Sequence, residues 1–162
     1  MKFERHTCRR LHEEHQANLE LLARFEQLAA RAGDTPPAGD AWAALARTLA
    51  TGLELETARH FDFEEQELFP RLAAAGQADI CLLLADEHET IRAVSGPLPA
   101  QLRASLAAGF DAKAWRALRA AGLELVDRLQ DHIQKEEMSL LPALEDLLDE
   151  EADRELTAAY CV

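Results

Sequence analysis

Apolar residues recur at intervals of three and four along most of the chain, and Ala, Leu, Glu and Arg dominate while β-branched residues are scarce. That pattern predicts amphipathic helices and almost no strand. A first helix is expected from Phe3 to Arg31, ended by the breaker cluster Gly33-Asp34-Thr35-Pro36-Pro37. A second starts near Asp40 as N-cap and runs through His60 and Glu64 to Ala75, with Pro70 kinking or ending its regular part and Gly76 closing it. The third opens near Asp79 and is interrupted by Ser95-Gly96-Pro97-Leu98-Pro99, a further helical piece filling 100–108 before Gly109. The fourth runs from Asp111 to Leu141, where Pro142 repeats the part of Pro70, and a short acidic helix follows. Four long helices with short connections predict an all-α, up-down-up-down four-helix bundle with a short C-terminal helix, in a single domain spanning 1–162.

The two halves of the chain echo one another. His60-x-x-x-Glu64-Glu65-x-x-Leu68-x-Pro70-x-Leu72 lies 72 residues before His132-x-x-x-Glu136-Glu137-x-x-Leu140-x-Pro142-x-Leu144. Upstream, Cys8-x-x-Leu11-x-x-Glu14-His15 lies 73 residues before Cys81-x-x-Leu84-x-x-Glu87-His88. Each half thus supplies one His and one His-x-x-x-Glu, which a duplicated helical hairpin would arrange about a pseudo-twofold axis. Trp42 and Trp115 share the 73-residue offset but not the register of the downstream motif, and they read as packing residues at the hairpin entrances.

Residues i and i+4 share one helix face, so His60 with Glu64 and His132 with Glu136 each project an imidazole and a carboxylate together. His15 and His88 occupy the apolar stripes of their helices. Four inward imidazoles and two inward carboxylates would be a costly core unpaired, at about 1–3 kcal/mol for each unsatisfied buried group. A shared pair of metal ions satisfies all six. Nitrogen and carboxylate donors without thiolate suit Fe, with Mn or Zn fitting the same set, whereas Ca²⁺ and Mg²⁺ prefer oxygen shells. Two octahedral metals offer about twelve positions; two bridging carboxylates, four imidazoles and an oxo or hydroxo bridge take about ten, which leaves room for a small ligand. A closed structural site shows no such vacancy.

Charge narrows the partners. Seventeen Lys and Arg against thirty Asp and Glu give a net charge of −13, which repels nucleic acid and anionic membranes. No run approaches the roughly 20 apolar residues of a membrane-spanning helix and the N-terminus lacks a signal-peptide core, so the expected compartment is the cytoplasm. Cys8, Cys81 and Cys161 form neither a disulfide framework nor a zinc-thiolate pattern.

These motifs together resemble the hemerythrin-like, or HHE cation-binding, family of non-haem di-iron helical bundles, over about Phe3 to Leu148. The residues that carry the resemblance are Glu14-His15, His60-x-x-x-Glu64 with the following Leu-Phe-Pro, Glu87-His88, and His132-x-x-x-Glu136 with Leu-Leu-Pro. It implies two oxo- or hydroxo-bridged iron ions, with His15, His60, His88 and His132 as terminal ligands and Glu64 and Glu136 bridging. It also implies binding of O₂, NO or peroxide, or iron handling. Oxygen carriers of the family place a further histidine one turn after the third-helix ligand, where this chain has Arg92, which points away from reversible O₂ transport.

Other residues carry weaker signals. His12, one turn before His15, is either a fifth imidazole ligand or a donor outside the ligands. Cys8 and Cys81 lie about 10 Å along the axis from the histidines, too far for the same metal, and read as buried small hydrophobes, with a redox pair as the alternative. Glu65 and Glu137 point about 100° away from the ligands, toward surface or outer positions. Arg92 faces the site or turns outward, His6 is expected to be exposed, and Tyr160 is assigned no role. Three function classes remain: a ligand-binding or sensing module, a di-iron enzyme acting on peroxide or NO (or repairing iron centres) with electrons from a donor protein, and a metal-free structural bundle.

Overall fold

The structure is a computed structural model that describes residues 3–160, apart from the side chains of Glu56 and Thr57. It is all-α, with no strand among the described residues. Helix α1 (His6–Ala32) is followed by a long rod made of α2 (Gly39–Leu55), a π-helical segment (Glu56–His60), α3 (Phe61–Phe63), a second π segment (Glu64–Leu68) and α4 (Phe69–Ala74). Then come α5 (Ala78–Ser95), α6 (Leu98–Ala108) and α7 (Ala112–Lys135), which passes through a third π segment (Glu136–Leu140) into α8 (Leu141–Leu147), and finally α9 (Glu150–Tyr160). None of these helices is long and apolar enough to cross a membrane.

The prolines account for two of the π segments. A proline has no N–H and its ring crowds the carbonyl four residues back, so a regular helix through Pro70 or Pro142 would lose a bond and clash. Instead the chain widens for one turn: the N–H of Phe69 donates to Glu64 O and that of Leu141 to Glu136 O, both five residues back. The prolines then fall in the first turn of the next helix, where no N–H is needed. The regular α-helix is thus interrupted just before Pro70, as expected, and the rod continues through α4 to Ala74; both of these widened turns begin at a site glutamate.

Helix α1 begins at His6, three residues later than expected, because its first amides are met from elsewhere. Glu145 accepts from the N–H of Glu4 at 2.7 Å, and Asp153 accepts from those of His6 and Thr7 at 2.8 and 2.9 Å. Helix α2 starts at Gly39, which places Asp40 inside the first turn and not at the cap. Asp111 does cap α7, accepting from the N–H of Ala114 at 2.7 Å.

The apolar interior is divided in two. One cluster contains Leu22, Phe25, Leu49, Leu53, Phe61, Ile91, Leu125 and Leu129; the other contains Phe3, Cys8, Leu11, Leu68, Leu84, Leu140 and Leu144. Leu22, Leu53 and Leu125 each lie seven residues from a site histidine toward the first cluster, and Cys8 and Cys81 lie seven residues from His15 and His88 toward the second. Seven residues is about 10 Å of helix, so a polar layer separates two greasy ones. Cys8 and Cys81 are free and buried, as expected for small core residues; Cys161 lies outside the described residues. Trp42 and Trp115 meet edge to face in the first cluster, 5.8 Å between ring centroids.

Candidate metal centre

The structure brings the six residues singled out by the repeat into that polar layer. His15 comes from α1, His60 and Glu64 from the interrupted rod, His88 from α5, and His132 and Glu136 from α7 and the turn after it. Each is at most 2% exposed. They form two overlapping groups, His15, His60, Glu64 and Glu136 on one side and Glu64, His88, His132 and Glu136 on the other. Within each group the donor atoms all lie within 4.8 Å of one another.

The carboxylates join the groups. Glu64 turns Oε1 to His60 Nε2 and Oε2 to His88 Nε2, both at 3.3 Å. Glu136 turns Oε2 to His15 Nε2 at 3.1 Å and Oε1 to His132 Nε2 at 2.9 Å. The paired rings nearly touch, Nε2 to Nε2, at 3.3 Å for His15 and His60 and 3.0 Å for His88 and His132.

Outside this core every site imidazole offers its Nδ1 to a carboxylate. His15 donates to Glu137 at 2.7 Å, His88 to Glu65 at 2.7 Å, His60 to Glu14 at 3.2 Å and His132 to Glu87 at 3.0 Å. The arrangement obeys the repeat, since Glu14 and Glu87 precede the upstream histidines and Glu65 and Glu137 follow the bridging glutamates. Helix geometry placed Glu65 and Glu137 off the ligand face, and they turn out to hold the rings of the opposite half. Glu14 and Glu87 were missed as ring holders, although a carboxylate beside each histidine, repeated in register, was their signal.

Those partners determine what the interior can bind. An ionised carboxylate only accepts, so Nδ1 carries the proton and the neutral ring points its Nε2 lone pair inward. Four such lone pairs converge with four carboxylate oxygens, which find no N–H donor while the rings are in this neutral state. A buried, electron-rich cage of this kind is stabilised only by cations or protons. The donor set therefore fits metal ions, with the outer carboxylates fixing tautomer and ring orientation.

In the metal-free chain, protons serve instead. Burial by itself would keep His15 neutral, but Glu136 and Glu137 outweigh it and raise its pKa to about 9. His88 is raised to about 9 in the same way, against burial, by Glu136, Glu64 and Glu65. Burial works against ionisation of Glu136 too, yet His132, His15 and His88 hold it well below the usual carboxylate range.

The side chains that contact these outer carboxylates differ between the halves. Lys135 pairs with Glu87 at 2.7 Å, and Arg92 bridges Glu65 and Asp62 at 2.7 and 2.9 Å, so Arg92 holds a ring partner and does not enter the core. His12 donates to Glu137 at 2.8 Å, outside the ligand layer. Phe61 stacks flat on His88, 3.8 Å between centroids. Tyr160, to which the sequence had assigned nothing, donates its hydroxyl to Glu14 and stands 3.2 Å from His60 Nδ1. His6 is exposed, as expected.

The profile of the hemerythrin HHE cation binding domain matches residues 6–144. The chain belongs to this family. A comparison with curated proteins gives no match. The matched span of the hemerythrin-like domain holds all six core residues and their four carboxylate partners, while α9, with Asp153 and Tyr160, lies beyond it. Cation binding is the property the family name carries, and the buried His/Glu groups are where this chain can hold its cations.

Proposed function

We propose that this hemerythrin-like chain holds two non-haem iron ions and uses them to bind or sense a small ligand, O₂, NO or peroxide. His15 and His60 would hold one ion, His88 and His132 the other, and Glu64 and Glu136 would span both. The observation that carries this reading is that each buried glutamate turns one oxygen to each histidine pair. A single-metal site would need only one such cluster, and the four buried carboxylate oxygens find no donor while the facing rings are neutral, which suits them to cations. Iron in a nitrogen and carboxylate donor set supplies one-electron redox chemistry and affinity for diatomic ligands.

The chain's own residues do the rest. Glu14, Glu65, Glu87 and Glu137 orient the four rings, and the apolar clusters on both sides keep bulk water from the layer. Arg92, in the place where oxygen carriers have their further histidine, is tied to Glu65 and Asp62, which favours sensing or reaction over reversible O₂ carriage. In the same reading residues 1–162 are one domain with four rods running up-down-up-down, in the cytoplasm, served by an electron-donor protein and not by nucleic acid or membrane.

The test is metal content per chain, by mass spectrometry on protein purified without chelator, with the near-ultraviolet spectrum. Two irons and oxo-bridge absorption are expected. Glu64→Ala and Glu136→Ala should each lower the content to one ion or none; two full sites in both variants would exclude the bridging role.

A further inference from the structure

The chain has one tyrosine. It is the last described residue of α9, yet only 5% exposed. Its hydroxyl donates to Glu14 Oε2 and lies 3.2 Å from Nδ1 of His60. The ring packs against Phe63 with centroids 4.5 Å apart, and the Arg59 guanidinium sits 4.6 Å above it while donating to the Tyr160 carbonyl at 2.9 Å. The other half of the pseudo-twofold has no phenol here: Lys135 is the partner of Glu87. On its outer side the ring borders two surface cavities of about 220 and 230 Å³, the second of which also reaches Glu14 and His60.

We propose that Tyr160 is a redox-active residue that gives one electron to the metal centre when the reduced centre meets O₂, and becomes a neutral tyrosyl radical. This rests on the two-iron reading above. The phenol O–H bond breaks, the electron passes through the His60 imidazole, and the proton moves along the existing hydrogen bond to Glu14 Oε2. Reduction of O₂ to two waters takes four electrons and four solvent protons. Two electrons leave a pair of Fe(II), one leaves Tyr160, and one comes from an external one-electron reductant, which is ferrous ion in the test below.

Three features suit the tyrosine to this step. A phenol loses its proton as it is oxidised, and an ionised carboxylate in hydrogen-bond contact accepts that proton without motion of heavy atoms. His60 links the phenol to the site, with Nδ1 at the Tyr160 hydroxyl and Nε2 facing Glu64. Phe63 and Arg59 cover the ring, while the neighbouring cavities give a small reductant access to restore it.

The experiment is electron paramagnetic resonance on full-length protein. Metal-free chain is loaded anaerobically with Fe(II), and two irons per chain are verified by mass spectrometry. It is then mixed with O₂ and one further equivalent of ferrous ion, and frozen. The expected result is an organic radical whose hyperfine structure narrows when ring-deuterated tyrosine is incorporated. Tyr160→Phe keeps the ring packing and should lose the radical while retaining two irons and their oxidised absorption spectrum. Wild-type protein that oxidises both irons with no organic radical overturns the proposal, as does a radical that survives in Tyr160→Phe. Fewer than two irons per chain at the loading step overturns the two-iron reading and this proposal with it.

Discussion

The Nδ1–H of His15 donates to Glu137 at 2.7 Å, although the two residues are 122 apart in sequence, while the adjacent Glu136 faces Nε2 of the same ring at 3.1 Å. One imidazole is thus gripped at both nitrogens by consecutive glutamates. The widened helical turn that starts at Glu136 presents both, one inward and buried, one outward and 20% exposed. The two glutamates should be separable by experiment. Removing an outer carboxylate that orients a metal ligand typically costs 10–100-fold in affinity. Glu137→Ala should therefore keep two ions at saturation but release one to a competing chelator about 10–100 times more readily, whereas Glu136→Ala loses the ion outright. By the pseudo-twofold, Glu65→Ala should repeat the result through His88. A chelator titration of Glu137→Ala that overlays the wild type would rule out the orienting role.

Protons and metal compete for this core, which sets a pH dependence. In the metal-free chain burial disfavours the charged rings, but the facing carboxylates outweigh it and raise His15 and His88 to about 9 from an ordinary 6.5. A raised pKa stabilises the fold fully below the unfolded value and ceases to do so as pH climbs through the folded one. Metal-free protein should therefore lose stability between pH 6.5 and about 9, read as a falling denaturation midpoint. Metal affinity should rise over the same window, because binding must displace those protons. A flat midpoint for metal-free protein across this range would show that the rings are not held protonated.

How far the sequence revealed this centre depended on whether a residue belonged to the repeat. His60 with Glu64 and His132 with Glu136 stand one helical turn apart, and two matched copies of that spacing singled them out. Tyr160 had no copy, and its partners His60 and Glu14 lie 100 and 146 residues away, a separation that no local pattern encodes. Asp153 was equally silent, since its role is to meet amides of α1. The widened turns were half legible: Pro70 and Pro142 announced an interruption, but a single turn is too short for periodicity to distinguish a five-residue bond from a four-residue one.

Asp153 should be a stability residue and not a metal residue. It accepts from the N–H groups of His6 and Thr7 at 2.8 and 2.9 Å, where α1 has no cap of its own, and it is 6% exposed. Asp153→Ala leaves the buried Thr7 amide unpaired, at a cost of about 1–3 kcal/mol, and should lower the thermal midpoint while the chain still binds two ions. Burial opposes its ionisation, but the amides and the Thr7 hydroxyl hold its pKa below the ordinary 3.8. That stabilisation is complete above 3.8 and is lost as pH falls through the lowered value, so wild type and variant should converge in stability in strong acid. Variant curves that stay parallel to wild type down to the acid limit would assign the loss to packing alone.

Gly122 tests how tightly the first apolar cluster is built. It lies on the buried face of α7, and a Cβ there would run into the ring of Phe25 from α1. Phe25 is 3% exposed and borders a small apolar cavity beside Leu22, Leu53 and Leu125, the three residues two turns from His15, His60 and His132. Added volume at this contact must push α1 from α7 or force the ring off its rotamer, a strain of about 1–3 kcal/mol. Gly122→Ala should therefore destabilise despite alanine's better helix propensity, worth about 1 kcal/mol in the opposite direction. Combining it with Phe25→Leu removes the collision, and the double variant should be more stable than the sum of the two single changes predicts. Equilibrium denaturation of the four proteins measures that coupling. Strict additivity would mean that the two side chains do not compete for the space, and that the α1 and α7 rods carrying His15 and His132 are not held apart by this contact.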